Sequence, residues 1–269
     1  MKQEQTFHQT RRLGQNFLYD PNILRKICTV AELSKEDHVI EIGPGKGSLT
    51  EHLSRSSGKV TAIEKDKRLR NFLDEKFGEF PNVRLVYEDI LKSRLRHFSC
   101  GGKMKLVSNL PYNISTPILL RVLDEKEFFS KIVVMLQKEV AERISSVRGR
   151  KSYGSLSVLL QSCFSVEIAF GVSRRAFHPS PDVDSAVVIL DPLESPAYPA
   201  SIEKTFRAVT RHAFSSRRKT IRNSLGNFFD KETVEQALSD SGIEPGRRAE
   251  SLSIEEFVKL AYGFHKAGQ

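Results

Sequence analysis

The chain has 269 residues, 39% of them hydrophobic, which is enough for one large domain plus a small one and excludes disorder throughout. Its 42 Lys and Arg against 33 Asp and Glu leave a formal charge of +9, a balance that favours a polyanionic partner. The three cysteines, Cys28, Cys100 and Cys163, stand far apart with no CxxC and no Cys/His spacing, so a reducing, cytoplasmic setting and no structural metal are expected.

The opening stretch, MKQEQTFHQTRRLGQ, is polar and lacks the apolar h-region of a secretory leader. No apolar run approaches the ~20 residues a membrane helix needs. Asp20-Pro21 reads as an N-cap followed by Pro at the first helical position, and Ile23, Leu24, Ile27 and Cys28 recur at helical spacing. His38–Ile42 reads as a strand, broken by Gly43-Pro44-Gly45-Lys46-Gly47, with a helix resuming at Ser48. Further strands are expected over Val60–Glu64, Val83–Tyr87, Met104–Ser108 and Ile132–Leu136, with a helix from about Lys138 to Ser145. Short apolar strands alternating with helices predict βαβ units and a parallel sheet. Ser165–Val172 and Ser185–Leu190 then follow without a helix between them, as expected of an antiparallel pair at the sheet edge. The proline-rich DPLESPAYPA (191–200) reads as a linker, dividing a domain over 1–195 from one over 196–269. Beyond it the signals are helical. Asp230 is placed to cap KETVEQAL, Ser253 and Glu256 have capping-box spacing, and Phe257, Leu260, Ala261 and Phe264 form an apolar stripe.

Ligands of open α/β sheets bind beyond the carboxyl ends of the strands. Four polar features fall at such ends here: the glycine turn at 43–47, Glu64, Asp89 and Asn109. Each has a plainer reading alone, as a strand-to-helix turn, a surface charge, a helix N-cap and a strand stop. Together they outline an adenosine site, with Glu64 placed for both ribose hydroxyls and Asp89 for the adenine amino group. The glycine spacing is G-x-G-x-G, wrong for a dinucleotide, and no G-x-x-x-x-G-K-[ST] loop is present for ATP. S-adenosylmethionine, which carries no phosphate, fits better.

LGQNFL (13–18), VIEIGPGKGSLT (39–50), AIEKD (62–66), VYEDIL (86–91), NLPYNIS (109–115), MLQKEVAERI (135–144), FHPSPDVDSAVV (177–188) and SSRRKTIRNSL (215–225) occur in this order. The chain thereby resembles the small-subunit (16S) rRNA adenine N6,N6-dimethyltransferases, from about residue 11 to its C-terminus. The resemblance implies a class I S-adenosylmethionine-dependent methyltransferase fold, with a Rossmann-like, mostly parallel seven-stranded sheet and a small all-helical, rRNA-binding C-terminal domain. It implies that two adjacent adenosines in the 3′-terminal helix loop of 16S rRNA are dimethylated, within the immature small ribosomal subunit. Nothing in the sequence suggests an obligate interface, and a monomer is expected. Donor contacts carried over are Asn16, Leu18, Gly43, Glu64, Asp89 and Asn109. The chain departs from the pattern at Asp182, where family members often carry Lys, so a phosphate contact there is not carried over.

The chemistry fits NLPY. The lone pair of an adenine amine is delocalised into the ring, so a base acting on the neutral amine offers little. Two acceptors holding its hydrogens favour a tetrahedral nitrogen and oppose the charge that builds on it. The Asn109 side-chain oxygen and the Leu110 carbonyl form such a pair, Pro111 fixes the turn, and Tyr112 offers a stacking face. Phe177 is a candidate for the opposite face, core packing being its plainer reading.

Basic residues cluster at Arg11-Arg12, at Arg148, Arg150 and Lys151, at Arg174-Arg175, and at Arg211, Arg217, Arg218, Lys219 and Arg222. The 211–222 run is expected on a helix anchored by Phe214, Ile221 and Leu225, displaying its charges toward RNA phosphates. Two other readings compete. One is the related large-subunit rRNA adenine methyltransferase of macrolide resistance, which NLPYNIS and FHPSPDVDSAVV disfavour. The other is a non-catalytic ribosome-assembly or transcription factor, disfavoured by the intact Asn109, Glu64 and Asp89.

Overall fold

The computed structural model describes residues 17–267. In chain order the first part holds β1 (Phe17–Leu18), α1 (Pro21–Val30), β2 (His38–Ile42), α2 (Ser48–Ser56), β3 (Lys59–Ile63), α3 (Arg70–Phe77) and β4 (Val83–Val86). Next come β5 (Met104–Asn109), α4 (Ser115–Asp124), β6 (Phe129–Gln137), α5 (Lys138–Ile144), α6 (Ser155–Gln161), β7 (Phe164–Val172), β8 (Phe177–His178) and β9 (Ser185–Pro192). The last four helices are α7 (Glu203–Ala213), α8 (Ile221–Leu225), α9 (Lys231–Ser241) and α10 (Ile254–Ala267).

Seven strands form one sheet in the order β4-β3-β2-β5-β6-β9-β7. The pairs β4–β3, β3–β2, β2–β5 and β5–β6 are parallel. From β2 the chain order runs outward through β3 and β4 on one side and through β5 and β6 on the other, so the topological switch lies between β2 and β5. Val39, Ile40, Val60, Leu106, Val107, Val133 and Val134 are fully buried, as strands covered on both faces require. Helix α1 starts as its sequence dictates: Asp20 accepts the Asn22 N–H at 2.9 Å and Pro21 opens the helix, which buries Leu24 and Ile27.

The last two sheet strands lie side by side at the sheet edge, beyond the parallel strands, as expected, with the later one, β9, on the inside. β9 runs antiparallel to β6, from Gln137↔Ser185 to Ile132↔Leu190, and β7 forms the edge. Burial explains the order. Ala186, Val187, Val188 and Leu190 are 3% exposed or less, an interior-strand pattern, whereas β7 carries exposed Ser165 and Glu167. Helix α4 buries Ile118, Leu119, Val122 and Leu123 at helical spacing.

By its internal contacts the chain divides into two compact units, residues 1–138 with 168–190 and residues 139–167 with 191–269. The second therefore gathers 139–167 with the C-terminal helices, whereas a boundary near 195 leaves that segment with the sheet. Its contacts show why. The Tyr153 ring meets Phe214 edge-on at 5.9 Å, the Gly149 N–H donates to Glu250 O at 2.8 Å, and the Ala197 N–H donates to Ser162 O at 2.8 Å.

In this second unit Phe206, Phe257, Leu260 and Leu225 are fully buried, each large apolar side chain contributing about 1.5–3 kcal/mol. Asp230 caps α9 through the Thr233 N–H at 2.8 Å. Ser253 and Glu256 make both bonds of the capping box, at 2.8 and 3.2 Å. The 211–222 run is not one helix. α7 ends at Ala213, residues 214–220 turn, and Thr220 caps α8 by accepting from the Asn223 N–H. Its anchors hold as expected: Ile221 and Leu225 are buried, and Phe214 stacks on Phe257 at 5.6 Å.

Candidate active site

The strands flanking the switch point part at their carboxyl ends. β2 and β5 pair at Val39↔Lys105 and Ile40↔Leu106. Beyond that the Ser108 hydroxyl bridges the gap, donating to the Ile42 carbonyl at 2.6 Å and accepting the Ile42 N–H at 3.3 Å. A crevice opens there, lined on one side by the glycine turn and on the other by Asn109–Ile114, with Glu64 and Asp89 at the ends of the next two strands.

The glycine turn is left-handed at Gly43 (φ +72°), Gly45 (+58°) and Gly47 (+74°), backbone that other residues resist. Space adds to the requirement at all three positions, a Cβ at Gly47 running into the Phe77 ring. A Cβ at Gly43 would lie 3.0 Å from Pro111 Cγ, and one at Gly45 would lie 2.7 Å from the Phe17 ring. The absent side chains therefore let the NLPY turn and β1 close on the glycine turn. Main-chain bonds fix it to its neighbours: Gly43 N–H donates to Ile63 O at 2.9 Å, and Gly45 N–H to Glu64 Oε2 at 3.1 Å.

Glu64 is 6% exposed. Burial raises its pKa, opposed by N–H donors from Asp66, at 2.7 Å on Oε1, and from Gly45. Each oxygen keeps a lone pair for a further donor. Asp89 serves the plainer role and also faces the crevice. Its Oδ1 accepts the Leu91 N–H at 3.1 Å, capping a short turn of helix, and its Oδ2 pairs with Lys65 Nζ at 2.9 Å. The bond from Lys65 holds the Asp89 carboxyl below its ordinary range.

Asn109 ends β5 opposite Met135, and the following Leu110 N–H donates to Met135 O at 3.2 Å. Pro111 (φ −56°) starts the turn, and its carbonyl accepts the Ile114 N–H at 3.1 Å. The Tyr112 hydroxyl shares a 2.6 Å hydrogen bond with Ser185, which is 1% exposed. Asn109, Leu110, Pro111 and Tyr112 thus line one crevice together with Leu18, Gly43, Glu64 and Asp89.

Phe177 does not belong to this group. It pairs with Leu18 in the short β1–β8 ladder, is 3% exposed, and packs in the core with Leu24, Ile27 and Val187. At 3% exposure its ring is buried, which matches its plainer reading. Asn16 and the Arg11-Arg12 pair lie outside the described residues. Asp182, at the position that departs from the family pattern, accepts at its carbonyl from Arg174 Nη1 at 3.4 Å. Arg148, Arg150, Lys151, Arg211, Arg217, Arg218, Lys219 and Arg222 are all exposed on the second unit, and Arg222 is ion-paired with Glu235.

Sequence reasoning missed Glu41, Thr50 and Ser108. Glu41 is 2% exposed and accepts from the Thr50 hydroxyl at 2.6 Å. Burial pushes its pKa up to about 8, so it carries a proton at neutral pH. The signal was available: a carboxylate inside the apolar run HVIEI, on a strand covered on both faces. Among the described residues no group of three or more His, Cys, Asp or Glu is arranged to hold a metal ion, and no helix is long and apolar enough to cross a membrane.

The chain matches the family described as ribosomal RNA adenine dimethylase over residues 6–266. It is 45% identical over 268 residues to the ribosomal RNA small subunit methyltransferase A of Ligilactobacillus salivarius, covering 96% of this chain and 90% of the relative. The protein of the same name from Geobacter metallireducens is 44% identical over 257 residues, covering 93% and 94%. Among solved structures, a dimethyladenosine transferase from Plasmodium falciparum superposes with a TM-score of 0.80 at 28% identity, covering 94% of this chain and 98% of that one. The 23S rRNA methyltransferase ErmE superposes at 0.71, also at 28% identity, covering 93% and 99%.

The buried Glu41 has a measurable signature. Between about pH 4.5 and 8 the native state keeps a proton that the unfolded chain has lost, so stability falls as pH rises, by at most ~1.4 kcal/mol per pH unit. Denaturant unfolding of the protein and its Glu41→Gln variant from pH 5 to 8 should give a stability difference that shifts toward the variant as pH rises. A pH-independent difference would contradict the assignment.

Proposed function

The chain belongs to the ribosomal RNA adenine dimethylase family, and from that membership we propose which of its residues hold the donor and the target amine. It is an S-adenosylmethionine-dependent rRNA adenine dimethyltransferase, and its substrate is the small-subunit rRNA, each of two adjacent adenosines receiving two methyl groups at N6. When bound, S-adenosylmethionine supplies a sulfonium methyl group open to attack. The residues of the crevice suit it: Glu64 for the ribose hydroxyls, Asp89 for the adenine amino group, and Gly43 for close approach of the main chain, with Leu18, Ile63 and Ile90 as apolar lining. Asn16 joins them on the family pattern.

The observation that carries the reading is the convergence of Gly43 and the Asn109–Tyr112 turn on one crevice. The Asn109 side-chain oxygen and the Leu110 carbonyl accept the two N6 hydrogens and favour a tetrahedral nitrogen. Pro111, seated against Gly43, keeps those acceptors aligned. Tyr112 stacks on the base after it leaves its own stack. Its hydroxyl, bonded to Ser185, orients the ring and takes no part in proton transfer. The proton displaced by each methylation leaves after transfer, so no side-chain base is required.

The second unit supplies the rRNA-binding surface in this reading, through Arg148, Arg150 and Lys151 and through Arg211, Arg217, Arg218, Lys219 and Arg222. Their exposure suits contacts to phosphates, and rigid rRNA is recognised largely by shape and backbone. The excess of basic over acidic residues supports a ribonucleoprotein partner, read as the immature small subunit. The protein acts there as a cytoplasmic monomer. The relatives named for small-subunit methylation, matched nearly end to end, favour this substrate over the large subunit.

Two outcomes follow. Mass spectrometry of the small-subunit rRNA 3′ end should find N6,N6-dimethyladenosine at two adjacent positions when the protein acts on immature small subunits, and none without it. The same result on naked large-subunit RNA alone would contradict the substrate assignment. Tyr112→Phe should keep most methyl transfer while losing about 1 kcal/mol of stability through the unpaired Ser185 hydroxyl. Tyr112→Ala should lose at least ~10-fold in transfer, since a stacked base contributes about 1–3 kcal/mol. Equal activities of the two variants would count against stacking.

A further inference from the structure

The second unit carries an aromatic feature that its basic residues do not explain. Phe228 is 50% exposed, on the turn between α8 and α9. Its ring is stacked on His212 of α7, with centroids 3.9 Å apart and planes 26° from parallel. His212 in turn meets Phe229 edge-on at 5.6 Å, and Phe229 packs at 4.5 Å on the buried Phe264. The exposed ring is therefore the outermost member of a ladder rooted in the core. One face rests on His212, and the other half of its surface is open to solvent. The main chain fixes it as well, through the Phe228 N–H donating to Leu225 O at 2.9 Å.

A single exposed apolar residue needs no explanation. This one stands on a rigid stack within a basic stretch. Lys219 Nζ lies 3.5 Å from Asn227 Oδ1, on the residue next to Phe228, and Arg211, adjacent to His212, is exposed. Of the acids that follow Phe228, Glu235 pairs with Arg222 and Asp230 caps α9. Proteins that bind single-stranded nucleic acid combine these two elements, a cationic track for the backbone and a flat ring on which a base stacks.

We propose that the His212–Phe228 stack is a platform for an unpaired nucleobase of the RNA substrate, with Lys219 and its neighbouring arginines holding the adjoining phosphates. The proposal rests on the reading of this unit as RNA-binding. Stacking is indifferent to salt, whereas phosphate contacts are not, so the two contributions separate in one experiment.

The full-length protein would be titrated with fluorescein-labelled small-subunit rRNA transcript at several salt concentrations, with F228L, F228Y and the triple variant R217Q/R218Q/K219Q compared. F228L should bind about tenfold more weakly at every salt concentration, with the salt slope unchanged, and F228Y should bind as the parent does. The triple variant should bind more weakly with a flatter slope. Parental affinity in F228L together with a weakened triple variant would overturn the platform and leave the RNA-binding unit standing. Parental behaviour in both would overturn both. Photo-crosslinking to the same transcript supplies a readout independent of variant folding: a nucleotide adduct on Phe228 is expected, and adducts confined to other residues would contradict the platform.

Discussion

The site depends on a close approach between two turns that leaves no room for a side chain. Gly43 ends one strand of the switch point and Pro111 follows the other, and a Cβ on Gly43 would sit 3.0 Å from the proline ring. The glycine's left-handed φ of +72° independently disfavours any other residue. Because these turns touch, the backbone proposed to meet the methyl donor and the acceptors proposed to meet the target amine are parts of one edge. Bonds from Gly43 to Ile63 and from Gly45 to Glu64 tie the next strand end into it. Alignment is then set by the sheet, before any ligand arrives, which is where much of the rate advantage of an oriented site originates.

The two buried carboxylates beside the glycine turn illustrate how environment divides similar groups. Glu41, within β2, has Thr50 as a side-chain donor and takes a proton at neutral pH. Glu64, one strand over, has main-chain N–H donors on both oxygens that oppose its burial. Only the second has the donor environment of an anion suited to hydroxyl recognition. The first is a neutral strut under the turn. Two ionised carboxylates so close together in a buried setting would repel each other, and protonation of one removes that cost.

Much of this architecture was legible in the sequence because it is written in local terms. Strand ends were marked by apolar runs stopping at Gly43, Glu64 and Asn109, and helix starts by Asp20-Pro21, Asp230 and the Ser253–Glu256 pair. What could not be read was set by pairing across distance. The place of β9 between β6 and β7 depends on which strand is buried on both faces, and β7 and β9 look alike in isolation. Phe177 reads as a base-stacking ring beside its prolines, yet it is buried in the core beside Leu24 and Val187. The 211–222 run has the composition of a helix face but is cut by a turn capped at Thr220. The same turn region leads to Phe228, whose stack on His212 joins residues sixteen positions apart and leaves no periodic trace.

Asn109, as proposed, acts on the amine and not on the fold or chiefly on the donor. This role is tested most directly by measuring donor affinity and single-turnover methyl transfer to small-subunit rRNA side by side in the protein and its Asn109→Ala variant. A folded variant is expected whose donor affinity changes less than about tenfold while transfer slows by about two orders of magnitude or more. Transfer near the parental rate in the folded variant, or a loss of transfer fully accounted for by lost donor binding, would contradict it.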